Sequence, residues 1–121
     1  MLEISTFNEV TQITMGYEIN GSVLYRVSAY LVDGLLIDTG CQHTASELSD
    51  YLSECNLKKV VNTHYHEDHI GGNKIIEERF GIKAMAYPLS ISLMMSKPLL
   101  YPYQELVWGY PEITDVAQIP G

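Results

Sequence analysis

The feature that most constrains the fold is the decapeptide at residues 63–72, Thr-His-Tyr-His-Glu-Asp-His-Ile-Gly-Gly, which holds three of the chain's four histidines. Such a density of polar side chains, followed by two glycines, is hard to explain as packing. Histidine and aspartate supply the nitrogen and oxygen ligands of divalent metals such as zinc. If the segment left a strand as an extended turn, His64, His66 and Asp68 would alternate with their neighbours and converge on one side. The decapeptide therefore predicts a metal site at the end of a strand.

The composition describes one small acidic unit. The chain has 121 residues, 46% of them hydrophobic, and a formal net charge of −8. This length is too short for two ordinary domains, so we expect residues 1–121 to form a single domain. The negative charge disfavours nucleic acid as a partner. With no apolar run of ~20 residues, no signal-like start and two cysteines that form no disulfide framework, we expect a cytoplasmic protein that binds no membrane.

The N-terminal part has the pattern of an antiparallel meander. Alternating residues predict two strands, and a longer run rich in β-branched and aromatic residues predicts a third. Asp33-Gly34 is a strong signal for a two-residue hairpin, after which a short strand returns. The predicted strands lie at residues 2–7, 10–17, 23–32 and 35–37, and the last one ends at Asp38-Thr39-Gly40.

Helices and strands alternate in the following part. Thr44 and Glu47 fit a capping box for a helix that runs to about Cys55. A strand at 57–62, a helix at 73–80 ended by Gly81 and a strand at 83–87 follow. The order predicts an α/β fold of the α+β type, in which an antiparallel meander leads into a β-α-β-α-β unit with its helices on one face.

The pattern loosens after Pro88. Residues 90–96 are compatible with a short helix. The stretch 99–110 concentrates aromatic side chains, which either line a substrate pocket or fold back on the core.

Two elements of this sequence resemble the metallo-β-lactamase superfamily. The decapeptide looks like that family's His-x-His-x-Asp-His signature, and Leu36-Ile37-Asp38-Thr39-Gly40 resembles the strand-plus-Asp-x-Gly element that precedes it. Asn73, after the two glycines, matches a version common among the thioesterase-like members. The resemblance implies an αβ/βα sandwich, of which this chain corresponds to the N-terminal half.

The same resemblance implies a two-metal site. His64 and His66 would ligate a first zinc, and Asp68 and His69 a second metal, with iron or manganese as alternatives to zinc. Asp68 would also orient the metal-bound hydroxide that attacks an ester, thioester or lactone of a small-molecule substrate. A histidine at position 69 favours an esterase or thioesterase over a β-lactamase. Asp38 is expected to be structural, near the metals without binding them.

The histidine count predicts an incomplete site. A catalytic zinc normally has three protein ligands and a water, whereas the decapeptide offers about two ligands per metal. The only other histidine is His43, and none follows His69. We therefore expect the chain to be an N-terminal fragment that is inactive alone, completed by its missing C-terminal half or in a homo-oligomer, through the open sheet. A natural short protein with different packing is the third reading.

Two other functions are compatible with the same residues. One is a non-catalytic metal-binding or scaffold fragment that associates through its open sheet. The other is an iron-dependent redox member of the same superfamily.

Three residues near the motifs have less specific interpretations. We expect Glu67 to face solvent or to hydrogen-bond a metal ligand rather than to act as a base, and His43 to be an exposed loop residue. Cys41 follows a strand and could approach the site, but a buried, inert thiol is the favoured interpretation.

Overall fold

The computed structural model describes residues 1–23, 25–63, 67–86, 91, 94, 111–112 and 116–119, with only the backbone described for Ile19, Glu67 and Asp68. The predicted aromatic segment at 99–110 lies outside these residues. Of the predicted helix at 90–96, only Ile91 and Met94 are described, and both are helical.

Within the described ranges, seven strands form one mixed sheet in the order β1-β2-β5-β6-β7-β8-β9, and β3 and β4 form a separate hairpin. The strands are β1 Leu2–Phe7, β2 Val10–Met15, β3 Glu18–Ile19, β4 Ser22–Val23, β5 Val27–Val32, β6 Leu35–Ile37, β7 Lys59–Val61, β8 Ala84–Ala86 and β9 Ala117–Gln118. The helices are a 3-10 turn at Gln42–Thr44, α1 Ala45–Leu52, α2 Glu67–Ile70 and α3 Asn73–Phe80. None of the helices in the described ranges is long and apolar enough to cross a membrane.

The predicted meander is confirmed, with one difference. Strands β1, β2, β5 and β6 pair antiparallel in sequence. Asp33 and Gly34 have φ of 47° and 81°, the positive values that a two-residue hairpin turn requires. The single strand expected at 23–32 is divided, because residues 18–23 form the β3–β4 hairpin around Asn20-Gly21, a second pair with positive φ.

The remaining strands are parallel, and the helices that connect them pack on one face of the sheet. Strand β7 pairs with β6 and with β8 in parallel, and β8 pairs with β9 in the same way. Alternate strand residues and the inward stripes of α1 and α3 form the core. Its buried members are Ile13, Met15, Val27, Ala29, Leu36, Leu48, Leu52, Val60, Ile76 and Ala84. The predicted α+β fold with helices on one face is therefore confirmed.

Helix α1 begins at Ala45, as the sequence predicts, but the predicted capping box is wrong. The Thr44 side chain makes no cap hydrogen bond, because the preceding 3-10 turn brings its hydroxyl to the Cys41 carbonyl oxygen at 3.4 Å. The helix also ends at Leu52 rather than Cys55. The Cys55 N–H donates to the Leu52 carbonyl oxygen, a tighter turn that ends the regular helix.

Helix α3 agrees with the prediction at both ends. It covers Asn73–Phe80, and Gly81 ends it with φ of 68° while donating its N–H to the Glu77 carbonyl oxygen. Arg79 ties α3 to α1, since its Nη1 lies 2.7 Å from the Ser49 hydroxyl and 2.6 Å from Asp50 Oδ1.

The opposite face of the sheet carries a row of mostly apolar residues. Tyr30, Ile37, Val61, Met85 and Ala117 are paired from strand to strand, so they share one face. Tyr30 is exposed, whereas the other four are half-buried. The sequence predicts an open sheet, and of these five residues only Tyr30 is exposed, by 38%.

The parallel pairing of β6 and β7 places their C-terminal ends side by side. Ile37 is opposite Val61, and the N–H of Asp38 continues the ladder by donating to the Val61 carbonyl oxygen at 2.7 Å. Asn62 and Thr63 follow Val61 directly. The two sequence motifs, which are separated by a helix along the chain, therefore meet at one edge of the sheet.

Candidate metal centre

Asp38 joins the two sequence motifs. It has φ of 66°, a left-handed conformation that aspartate tolerates better than most residues, and it is 5% exposed. Its Oδ1 accepts a hydrogen bond from the Thr63 N–H at 2.7 Å, and its Oδ2 accepts one from the Thr63 hydroxyl at 2.7 Å. The same Oδ2 lies 3.0 Å from His69 Nδ1. One buried carboxylate therefore contacts the residues on both sides of segment 64–68.

The contact with Asp38 sets the orientation of the His69 ring. A carboxylate at Nδ1 favours the tautomer with its proton on that nitrogen. The Nε2 atom is then the nitrogen with a lone pair, which is the form that binds a metal. The side chain of His69 is 21% exposed. Asp38 thus has the structural role that the resemblance implies. Its contact with His69 also favours the ring tautomer whose Nε2 can bind a metal.

The extended turn expected through Asp68 is wrong for the last part of the decapeptide, since Glu67–Ile70 is the helical turn α2. Successive helical residues are rotated by about 100°, so strict alternation cannot continue past Glu67. Backbone contacts favour the turn, because the His69 carbonyl oxygen accepts the Thr39 N–H at 2.9 Å and the Gly71 N–H donates to the Gly40 carbonyl oxygen at 2.7 Å.

The other predicted ligands are only partly visible. His64 and His66 lie outside the described residues, and only the backbone of Asp68 is described. Within the part of the chain that is described, no three His, Cys, Asp or Glu side chains are close enough to hold a metal ion. The structure brings His69 to Asp38, and the set of four ligands stays a prediction.

The two glycines of the decapeptide are required by close packing. A Cβ on Gly71 would collide with the backbone carbonyl carbon of Cys41 and the backbone nitrogen of Gln42. A Cβ on Gly72 would lie 2.6 Å from the Thr39 carbonyl oxygen. The glycines therefore let the turn after α2 lie directly against the loop that follows Asp38.

A buried polar network lies beneath this turn, and the sequence analysis did not predict it. Asn73 Nδ2 donates to Asn62 Oδ1 at 2.7 Å, and Asn62 Nδ2 donates to Asn73 Oδ1 at 3.1 Å. The Thr39 hydroxyl donates to Asn73 Oδ1 at 2.8 Å and accepts the Gly72 N–H at 3.1 Å. In the sequence, only the positions of the two asparagines could have indicated this network, since they directly flank the decapeptide.

Two further side chains agree with their expected passive roles. Cys41 is fully buried, and this burial raises the pKa of its thiol, which keeps it protonated and a poor ligand at neutral pH. His43 is exposed and stacks on Tyr17, with ring centroids 4.1 Å apart.

Comparison with known families agrees with the resemblance that the two sequence motifs indicate. A family model described as the metallo-β-lactamase superfamily matches residues 23–119. A hydroxyacylglutathione hydrolase from Pelagibacter ubique is 42% identical over 45 residues, which are 36% of this chain and 19% of the relative.

Two solved structures show the same architecture. The metallo-β-lactamase from Pontibacter korlensis has a TM-score of 0.67 at 22% identity, over 97% of this chain and 52% of that one. The metallo-β-lactamase FIM-1 from Pseudomonas aeruginosa, solved in its mono-zinc form, has a TM-score of 0.67 at 16% identity, over 98% and 50%. At these identities the similarity establishes the fold alone. The chain spans about half the length of these structures and a smaller share of the curated relative.

Proposed function

This chain belongs to the metallo-β-lactamase superfamily, and from that premise we propose that it carries the first half of the active site of a metal-dependent hydrolase. The observation that supports this most strongly is the position of Asp38. Its carboxylate accepts hydrogen bonds from Thr63 and contacts His69 Nδ1, so both ends of the histidine-rich segment are attached to β6. Such an arrangement stabilises one conformation of the segment that would hold the metal.

The donor set fits zinc. Imidazole nitrogens and carboxylate oxygens suit zinc, and a carboxylate behind a ligating histidine is the usual way to fix its tautomer. We propose that His64 and His66 hold a first zinc ion, and that Asp68 and His69 hold a second. The same donors also bind iron or manganese, so metal analysis of the purified protein is part of the test.

The two aspartates, Asp68 and Asp38, have distinct tasks in the proposed reaction. When bound, zinc lowers the pKa of a water ligand to about 7 and polarises a carbonyl group. Asp68 would accept a hydrogen bond from the attacking water and orient it toward the substrate carbon. Asp38 acts by position, because its oxygens are occupied by Thr63 and His69.

We propose an acyl thioester as the substrate, from the wider set of esters, thioesters and lactones. The name of the Pelagibacter relative specifies hydrolysis of a hydroxyacylglutathione, and acyl groups on glutathione are thioesters. Under this proposal residues 1–121 are one part of a domain. The remaining metal ligands come from residues outside this segment, in the same polypeptide or in a second chain.

Metal binding by this chain tests the ligand assignment, with two histidine variants as a matched pair. His66→Ala should lower the zinc content measured by mass spectrometry after dialysis against zinc, because it removes a ligand. His43→Ala should leave the zinc content unchanged, since His43 stacks on Tyr17 outside the decapeptide.

In the assembly that supplies the remaining ligands, His66→Ala should abolish thioester hydrolysis and His43→Ala should not. Equal zinc content and equal activity in the two variants would exclude the ligand assignment. Bound iron without hydrolysis would instead support a redox function.

A further inference from the structure

Asn62 and Asn73 form a hydrogen-bonded pair across the ends of the decapeptide. Each side-chain amide donates one N–H to the oxygen of the other, at 2.7 Å and 3.1 Å. Asn62 immediately precedes Thr63, and Asn73 immediately follows Gly72. All four proposed metal ligands therefore lie on the loop that this pair closes.

The pair is buried and electrically neutral. Asn62 is 1% exposed and Asn73 is 3% exposed, so neither side chain can exchange its partner for bulk water. Thr39, also fully buried, completes the arrangement by donating its hydroxyl hydrogen to Asn73 Oδ1. Because buried amides without partners cost about 1–3 kcal/mol each, the paired geometry is strongly favoured over an open one.

The pair also reaches the backbone of a proposed ligand. The carbonyl oxygen of His69 lies near the C-terminal end of α2, where helical carbonyls lack partners within the helix. Asn62 Nδ2 lies 3.4 Å from this oxygen, and the Thr39 N–H donates to it at 2.9 Å. His69 is thus held through its ring by Asp38 and through its backbone by Thr39 and Asn62.

We propose that the Asn62–Asn73 pair is an amide clasp, which fixes the two ends of the ligand-bearing loop next to each other before a metal binds. This inference rests on the proposed metal site. A loop closed in advance loses less conformational entropy when its ligands converge on an ion, and this raises metal affinity. Asn62 and Asn73 are positioning residues, since they act through the loop and touch neither metal nor substrate.

The first test measures zinc affinity by competition with a chromogenic chelator. Asn62→Ala and Asn73→Ala should each weaken zinc binding by about 10- to 100-fold, the usual effect of removing an outer partner of a ligand. The double variant should bind zinc as tightly as the single variant with the lower zinc affinity, because either substitution alone opens the clasp. If Asn62→Ala does not fold, Asn62→Ser takes its place in the measurement, because serine retains a hydroxyl donor.

Ser49→Ala is the matched control. Ser49 is fully buried and accepts a hydrogen bond from Arg79 Nη1 at 2.7 Å, between α1 and α3 and away from the loop. Its loss should lower stability while leaving zinc affinity unchanged. Equal zinc affinity in Ser49→Ala and the asparagine variants, or additive effects of the two asparagine substitutions, would overturn the clasp.

The second test uses the metal-free protein. Hydrogen exchange of the backbone amides in residues 63–72 should accelerate at least tenfold in Asn73→Ala, while the exchange of β2 and β5 stays as in the wild type. Acceleration spread evenly over the chain would show a merely structural role. If the wild type binds no zinc, the proposed function fails, and this exchange pattern still decides whether the clasp exists.

Discussion

At the scale of single residues, Asp38 connects parts of the candidate site that lie far from it in the sequence, since it contacts Thr63 and His69. The chain contains two aspartates in the left-handed conformation among its described residues, Asp33 with φ of 47° and Asp38 with φ of 66°. Asp33 forms an exposed hairpin turn, whereas Asp38 is buried and accepts hydrogen bonds from Thr63. The same backbone conformation therefore serves a turn in one place and a polar contact centre in the other.

Asp38→Asn should weaken zinc binding by about 10- to 100-fold. The amide can keep one oxygen for the Thr63 N–H, but its NH₂ group then faces His69 Nδ1 in place of Oδ2. This contact favours the tautomer with the proton on Nε2, which cannot bind a metal. Chelator competition measures the change. Asp33→Asn is the control with the same substitution in the same backbone conformation, and equal affinities in both variants would contradict the role of Asp38.

At the scale of elements, residues 67–72 of the decapeptide form a short helix and a glycine turn that pack against a loop. The backbone of Gly71 lies against the backbone of Cys41 and Gln42. Gly81 has a different requirement, since its φ of 68° is left-handed and, among the described residues, no atom beyond its chain neighbours would lie within 4 Å of a Cβ at this position. One glycine is needed for space and the other for conformation.

Gly71→Ala should cost about 3 kcal/mol of the free energy of unfolding, because its Cβ would collide with backbone atoms that cannot move independently. Gly81→Ala should cost only about 1–2 kcal/mol, the strain of a left-handed alanine. Urea denaturation of both variants measures the difference. A smaller loss in Gly71→Ala than in Gly81→Ala would show that the α2 turn is not packed as described.

At the scale of the whole molecule, the mixed sheet brings distant segments to one edge. The crossover through α1 returns the chain to β7 beside β6, and the crossover through α3 returns it to β8. Asp38, Asn62 and Thr63 therefore meet at the C-terminal ends of adjacent parallel strands. The metal site, in the function proposed above, is attached to the most central strands of the sheet.

Zinc should accordingly stabilise the folded chain as a whole. At a free zinc concentration 100 times Kd, binding to the native state adds about 2.7 kcal/mol to the free energy of unfolding. For a chain of this size that corresponds to a rise in Tm of about 10 °C, which a chelator should reverse. Differential scanning calorimetry measures the shift. Magnesium, which prefers oxygen ligands, should produce little shift, and the same rise with magnesium would contradict a nitrogen-rich site.

Interactions between residues close together in the sequence determine much of the secondary structure of this protein. The Asp33-Gly34 hairpin, the Gly81 helix end and the alternating strands follow from local conformational preference and hydrophobic period, so they were predictable. The composition of the decapeptide likewise predicts metal chemistry, which stays a prediction.

Only the tertiary structure decided how Asp38 contacts His69, how Thr39 and Asn62 reach Asn73, and why Gly71 must be glycine. These contacts depend on which strands pair and in which register, and long-range pairing leaves no periodic trace in one sequence. The capping box at Thr44 was wrong for a local reason, because the chain enters α1 through a 3-10 turn that brings the Thr44 hydroxyl to the Cys41 carbonyl oxygen.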